Sequence, residues 1–239
     1  MKRLILTICI CFMVCLAHGQ NTFQSAEELY RQGKFSAALQ EYETALKDYP
    51  NDPFLYYNIG NCYFKMGSRG LAVANYYRAF RLAPRDKDIR HNLALTLEAS
   101  GEKLVPAGVP VILHKAFFSL SSAELKGLVY VLFWAVCICV IICLLRRKWS
   151  VAFTVVCVIW LMSAGWLYFR LQQDNENRAV IAVPVAEIRS GPGTNFPASA
   201  NIGQGHLVTI LDDKDSWYEV VVSSQGLKGW IDKNALEKI

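Results

Sequence analysis

Apolar positions along the chain change their spacing from one region to the next. Between Phe23 and Leu97 they are interleaved with charged residues and with small Ala and Gly. From Gly127 to Leu145 and from Trp149 to Phe169 they run almost unbroken, and beyond Arg178 they return as short stretches rich in Val, Ile and aromatics. Each unbroken run is long enough to cross a bilayer as a helix. Only Arg146-Arg147-Lys148 lies between them. Short Lys/Arg loops are retained on the cytoplasmic side, so the pattern predicts a hairpin of two transmembrane helices, 127–145 and 149–169, with both flanking regions outside the cytoplasm. Neither run contains Asp, Glu, Lys, Arg or His. Transport and proton relay call for such a group inside the membrane, so these helices are expected to anchor rather than conduct.

The N-terminus fits the same topology. Lys2-Arg3 precedes an apolar run from Leu4 to Ala17, and Ala17-His18-Gly19 sets small residues where a signal peptidase reads. Residues 1–19 are therefore expected to be a signal peptide, cleaved after Gly19. An uncleaved anchor is the alternative, for which the run is short. The residues before Cys11 and Cys15 are not the small ones of a lipidation signal. The expected location is a bacterial inner membrane, with both soluble regions periplasmic and a short cytoplasmic loop at Arg146–Lys148.

Residues 19–52 overlaid on 53–86 reveal a 34-residue period: Gly33 recurs at Gly67 and Gly101, Ala38 at Ala72, Tyr42 at Tyr76, Ala45 at Ala79, and Pro50 at Pro84. Each unit reads as two helices. The Gly permits a left-handed turn between them, the Ala residues allow close approach, and the Pro stops the second helix. With Tyr56, Ile59, Gly60 and Tyr63, the second unit resembles the tetratricopeptide repeat; the first, with Ala26 and Leu29, matches less fully. A third unit from Lys87 supplies one helix, carrying Leu93, Ala94 and Leu97. The result is a tetratricopeptide repeat domain over 20–103, two repeats plus a capping helix. Solenoids this short bury little surface, so this one is expected to lean on a partner or on the juxtamembrane segment. The resemblance implies protein or peptide binding on the concave face of the first helices. Candidate contacts there are Phe23, Tyr30, Tyr57, Asn58, Asn61 and Phe64; packing between helices is the alternative for the aromatics. Members that clamp a C-terminal carboxylate use paired Lys, and Phe23, Glu27 and Asp88 at the corresponding places argue against that ligand here.

In the juxtamembrane linker, 104–126, Pro106, Gly108 and Pro110 break any helix. Val111-Ile112-Leu113 and Phe117-Phe118 then predict a segment lying at the membrane surface. Ser121-Ser122-Ala123-Glu124 has capping-box spacing and is expected to start the first span. Past the polar stretch 172–178, Val180–Val185, Leu207–Leu211 and Trp217–Val222 read as strands. Ser190–Gly193, Asp212–Asp215 and Ser223–Gly226 read as turns. Strands this short, over 178–239, predict a closed small barrel. The spacing of Ile188-Arg189-Ser190-Gly191-Pro192, Gly205, Trp217 and Gly229-Trp230-Ile231 resembles the bacterial SH3-like (SH3b) domain, although Ala186-Glu187-Ile188 departs from the family's common Leu-Asn-Val. Such domains bind cell-wall peptides or partner proteins. Trp217 and Trp230 are the candidate contacts, with packing across the barrel as the alternative. The Asp212–Asp215 cluster is expected to be a solvated turn, since no further acidic ligands lie near it in sequence.

The fold expected is thus multidomain: an α-solenoid, a two-helix transmembrane hairpin and a small all-β SH3-like barrel. The 53% hydrophobic content follows from the spans. The net charge of +5 invites a polyanion, but residues 20–103 carry 11 basic and 10 acidic side chains, and 178–239 carry 6 and 7. The surplus sits at Lys2, Arg3, Arg146, Arg147, Lys148 and Arg170, where it sets topology, so no nucleic-acid partner is expected. Cys62 is the one cysteine of the exported modules; it reads as a small packing residue, with a thiol sensor as the alternative. No Ser/His/Asp or Cys/His constellation, phosphate loop or metal-ligand cluster stands out. Catalytic residues, cofactor and metal are all expected to be absent, and the protein is not expected to be an enzyme.

Signal peptide, tetratricopeptide unit, Pro-broken linker, two spans and C-terminal SH3b domain, in that order, resemble the BatE-type family of the Bacteroidetes aerotolerance (Bat) operons. The resemblance implies an inner-membrane scaffold for von Willebrand A-domain Bat proteins and, indirectly, a MoxR-type ATPase, with a role in oxidative-stress tolerance and envelope integrity. The alternative is a wall-tethering protein whose SH3b domain binds peptidoglycan peptides.

Overall fold

A computed structural model describes residues 23–106, 108–146, 151–222 and 224–239. The expected signal peptide and the Arg147-Lys148 part of the cationic loop lie outside the described residues. Residues 23–31 form α1, followed by α2 (Phe35–Asp48), α3 (Pro53–Lys65), α4 (Arg69–Leu82) and α5 (Lys87–Glu98). The repeat punctuation acts as its chemistry requires. Gly33, Gly67 and Gly101 take φ of +76°, +80° and +75°, a conformation cheap only for glycine. Asp52 caps α3 by accepting from Phe54 N at 2.8 Å, and Asp86 caps α5 by accepting from Asp88 N and Ile89 N at 2.9 and 3.0 Å. Gly60 lets α3 and α4 meet, because a Cβ there would stand 2.6 Å from the Tyr76 ring.

The linker forms a short helix, α6 (Val111–Phe117), before α7 (Ser122–Arg146) and α8 (Val151–Asp174). The capping box is present. Ser121 N donates to Glu124 Oε2 at 2.9 Å and Glu124 N donates to Ser121 Oγ at 3.3 Å, so α7 begins upstream of the predicted 127–145 segment. Ser122, at the start of α7, donates to Asp174 at the end of α8, and Phe133 meets Trp160 midway, so the pair is antiparallel. Both helices are long and apolar enough to cross a membrane.

Arg170, counted from sequence among the charges around the spans, has its side chain fully buried beneath α6. The guanidinium lies 4.3 Å from the Phe118 ring centroid and 5.5 Å from that of Phe117, with Asp174 at 4.0 Å. Ring faces and a carboxylate meet the cation while its aliphatic stem packs.

Seven antiparallel strands follow: β1 (Arg178–Ile181), β2 (Val185–Arg189), β3 (Ala198–Gly203), β4 (Leu207–Lys214), β5 (Trp217–Val222), β6 (Leu227–Asp232) and β7 (Leu236–Lys238), in the order β3-β2-β6-β5-β4-β1-β7. One core draws on every strand, from Ile202 of β3 to Leu236 of β7, so the sheet is rolled on itself. Three details differ from the sequence reading. The predicted Val180–Val185 strand breaks around Pro184, which has no N–H for a ladder. The predicted Asp212–Asp215 turn is strand as far as Lys214, with Asp212 opposite Glu219 and Lys214 opposite Trp217; these residues are solvated on both faces, so charge does not oppose pairing. The roll is open between β3 and β7, which do not pair among the described residues.

The solenoid leans on the barrel. Gly70, Val73, Tyr77, Arg78 and Arg81 recur at helical spacing on one face of α4. A Cβ on Gly70 would stand 2.1 Å from Ile181 O. Val73 belongs to a buried cluster that also holds Val180 of β1. The Tyr77 hydroxyl accepts from Arg178 at 3.0 Å, and Arg78 donates to Glu237 and to Lys238 O, both at 2.5 Å. Arg81 donates to Asp174 O at 3.0 Å. A polar seam runs alongside: Ser100 donates to Gln204 O at 3.2 Å, and buried Glu102 accepts from Ser224 and meets His206 Nδ1 at 3.0 Å. Both modules therefore sit at the same end of the α7–α8 pair.

Candidate functional site

On the solenoid face turned from the barrel, α1, α3, α4 and α5 frame a groove of about 260 Å3. Tyr30, Tyr57, Asn61 and Phe64, all picked out from sequence, line it. The other two candidates lie elsewhere. Phe23 packs against the core formed by Ala26, Tyr42, Leu55 and Cys62, and Asn58 is half-buried outside the groove lining. The sequence reading missed Lys65, Tyr76, Asn92, Leu95 and Thr96 as lining residues. Three of these fall on one face of α5, a spacing that was readable once the capping helix was taken as a wall of the groove.

The groove floor is a polar network among apolar walls. Tyr76 donates to Asn61 Oδ1 at 2.7 Å, and Asn92 Nδ2 donates to Asn61 Oδ1 at 3.1 Å and to the Tyr57 hydroxyl at 3.0 Å. Asn61 Nδ2 and the Tyr57 hydroxyl proton have no protein acceptor among the described residues, which leaves both able to donate to a bound ligand. Burial raises the pKa of Tyr76, with Tyr57 and Tyr30 adding to it; burial likewise raises Tyr30, helped by Cys62 and Tyr57. Both phenols stay neutral. Lys65 is the one charged residue of the lining. Such a surface suits a peptide backbone with uncharged or aromatic side chains.

Cys62 is fully buried, and its thiol is pushed up to about 11 by burial and then by Glu43. A thiolate is scarce at neutral pH, which argues for packing over sensing.

In the barrel, the motif residues have structural tasks. Arg189 donates to Thr194 O at 3.0 Å and Phe196 O at 2.7 Å, holding the loop after β2, where a Cβ on Gly191 would meet the Phe196 ring at 2.5 Å. Gly229 lets β6 cross β2, since a Cβ would stand 2.5 Å from Ile188 Cγ2 and 2.6 Å from Arg189 O. Ala186 and Ile188 point into the core while Glu187 turns outward to pair with Arg189, so the departure from Leu-Asn-Val keeps the inward positions apolar. Trp217 lines a shallow pocket of about 240 Å3 with Val185, Glu187, Arg189 and Thr194. Trp230 stands opposite Arg189 and Glu219, beside that pocket but not among its lining residues. Both Trp are half-buried and outside the core cluster. The register of β5 and β6 makes the two Trp diagonal neighbours on the outer face of the sheet. Asp213 pairs with Lys233, and no group of His, Cys, Asp and Glu suited to a metal ion occurs among the described residues.

Comparison with known proteins assigns the class of each module. Residues 26–67 match the TPR repeat, 55–86 the tetratricopeptide repeat, and 184–237 the bacterial SH3 domain. Over 76 residues, 32% of this chain, the protein is 33% identical to Tetratricopeptide repeat protein 16 of Homo sapiens and of Macaca fascicularis, covering 9% of each. Over 77 residues it is 32% identical to the Putative N-acetylmuramoyl-L-alanine amidase YrvJ of Bacillus subtilis (strain 168), covering 14% of that protein. The chain therefore spans only about a tenth of the length of the curated relatives it matches. Repeat and SH3 modules are binding units without catalytic machinery, suited to protein or cell-wall ligands.

Proposed function

We propose that the protein is a non-catalytic membrane scaffold whose repeat groove holds one protein partner while the barrel faces a second. The supporting observation is the division of the solenoid: one face is closed by the barrel, and the other keeps an open groove with two unspent donors. In this reading α7 and α8 span the inner membrane, Arg146–Lys148 stays cytoplasmic, and both modules stand in the periplasm. The partners are von Willebrand A-domain proteins of a Bat-type complex, coupled indirectly to a MoxR-type ATPase and to oxidative-stress tolerance. The test places a photo-crosslinking amino acid at Phe64 of the full-length protein in its native membrane. Von Willebrand A-domain membrane proteins are the expected products, and Tyr57→Ala is expected to reduce them at least severalfold. A product set that lacks them, or that Tyr57→Ala leaves unchanged, defeats the reading.

The likeness to a protein named as an N-acetylmuramoyl-L-alanine amidase favours a second reading, in which the pocket beside Trp217 binds a peptidoglycan peptide and tethers the membrane to the wall. The full-length protein in detergent is then expected to sediment with purified sacculi, and Trp217→Ala to release it. Sedimentation indifferent to Trp217 counts against this.

A further inference from the structure

A cavity of about 780 Å3 opens between α5, the chain that follows it, and α6, away from both binding faces described above. Its rim is cationic, with Arg85, Lys87, Arg90, Lys103 and Lys115. Arg85 is committed to Glu124. Lys87, Arg90, Lys103 and Lys115 have no ion-pair partner among the described residues. Two carboxylates, Glu98 and Glu102, share the lining with these four cations, and Glu102 is already engaged by His206 and Ser224. Ala94, Leu104 and Val105 supply an apolar wall. Unpaired cations this close together repel one another and gain most from a bound anion.

The position of the cavity says which anion. Lys115 sits on α6, where Val111, Ile112 and Leu113 are 55%, 75% and 60% exposed. On the opposite rim, the Arg85–Glu124 pair ties the cavity to the first turn of α7. A short helix with exposed apolar residues beside a membrane span lies in the headgroup layer, and the anions of that layer are lipid phosphates. Arg and Lys are the side chains that bind phosphate, and the apolar wall suits the glycerol and ester region beneath it.

We infer that this cavity binds the anionic headgroup of a phospholipid from the leaflet on which α6 lies. The bound lipid would fix the height of the repeat module above the bilayer, holding α5 and α6 against the surface. The inference rests on α7 and α8 being membrane spans.

The test reconstitutes full-length protein in nanodiscs of equal parts phosphatidylglycerol and phosphatidylcholine, then counts retained lipids by native mass spectrometry. A cation near an anionic surface is worth about fivefold in binding, so retention of phosphatidylglycerol over phosphatidylcholine by about tenfold is expected. Lys87→Glu with Lys103→Glu, both exposed positions, is expected to abolish that preference without changing the melting temperature, while Lys47→Glu on α2 keeps it. Equal retention of the two lipids by the native protein overturns the inference. So does a preference that the double variant preserves. Loss of the retained lipid to added glycerol phosphate or inorganic phosphate would reassign the cavity to a soluble anion, and loss to an acidic peptide would reassign it to a protein partner. Failure of the native protein to enter nanodiscs at all defeats the membrane reading instead, a result distinct from insertion without lipid preference.

Discussion

The two faces of α4 carry out the same physical task by different means. Toward α3, Gly60 accepts the Tyr76 ring, and Ala72 and Ala79 keep the helices close; this is packing inside a repeat. Toward the barrel, Gly70 lets the Ile181 carbonyl approach, while Tyr77 and Arg78 form hydrogen bonds along the joint and Arg81 ties its edge to the end of α8. One face is apolar and enclosed, as a core must be. The other joins a glycine contact to the buried Val73–Val180 cluster and is rimmed by charge, the composition of an interface within a chain. The comparison teaches how a solenoid with few repeats becomes stable: one of its faces is covered by another module. It also explains why the groove remains available, because the capping module occupies the opposite side.

Substitutions can break each face separately. Phe80 is fully buried, 5.2 Å from the Phe118 ring, in the cluster shared by α4, α5, the Phe118 segment and Val180. Phe80→Ala is expected to cost about 3–5 kcal/mol, read as a lowered denaturant midpoint of the full-length protein in detergent. Gly70→Ala drives a Cβ against backbone rather than a flexible side chain, so about 1–3 kcal/mol is expected, with faster proteolysis between α8 and β1. If Gly70→Ala leaves proteolysis unchanged, the joint is not the cap argued here. Arg78→Ala removes a partly exposed ion pair, for which a loss of about 0.5 kcal/mol that vanishes in high salt is expected. The smallest effect concerns Cys62. Its folded pKa lies above the ordinary 9.0, so its contribution to stability is complete below pH 9 and fades as pH climbs from about 9 toward 11. Alkylation of Cys62 at pH 8 is expected to be far slower in the folded protein than in denaturant, and equal rates would refute its burial.

The repeats and the two long apolar helices were legible from residues alone. Gly33, Gly67 and Gly101 announce helix ends because few other residues accept positive φ, and the Ser121–Glu124 spacing announces α7 because both capping bonds are local. Four of the six candidates, Tyr30, Tyr57, Asn61 and Phe64, line the groove because the repeat period marks the first helix of each unit as its wall. Those that were missed arise where distant segments meet. Arg170 looks like a flanking charge until Phe117 and Phe118 are brought over it. Strand β3, with only Ile202 buried, and the three-residue β7 carry too little apolar pattern to announce themselves.

By itself, then, the sequence determined the helical repeats, the two apolar helices and an SH3-like barrel, since periodicity, glycine turns and caps act within a few residues. Only the tertiary structure decided that the barrel closes one side of the solenoid and leaves the groove on the other. That choice depends on Gly70 meeting Ile181 and Arg78 meeting Glu237, contacts between residues more than a hundred positions apart that no local period can encode.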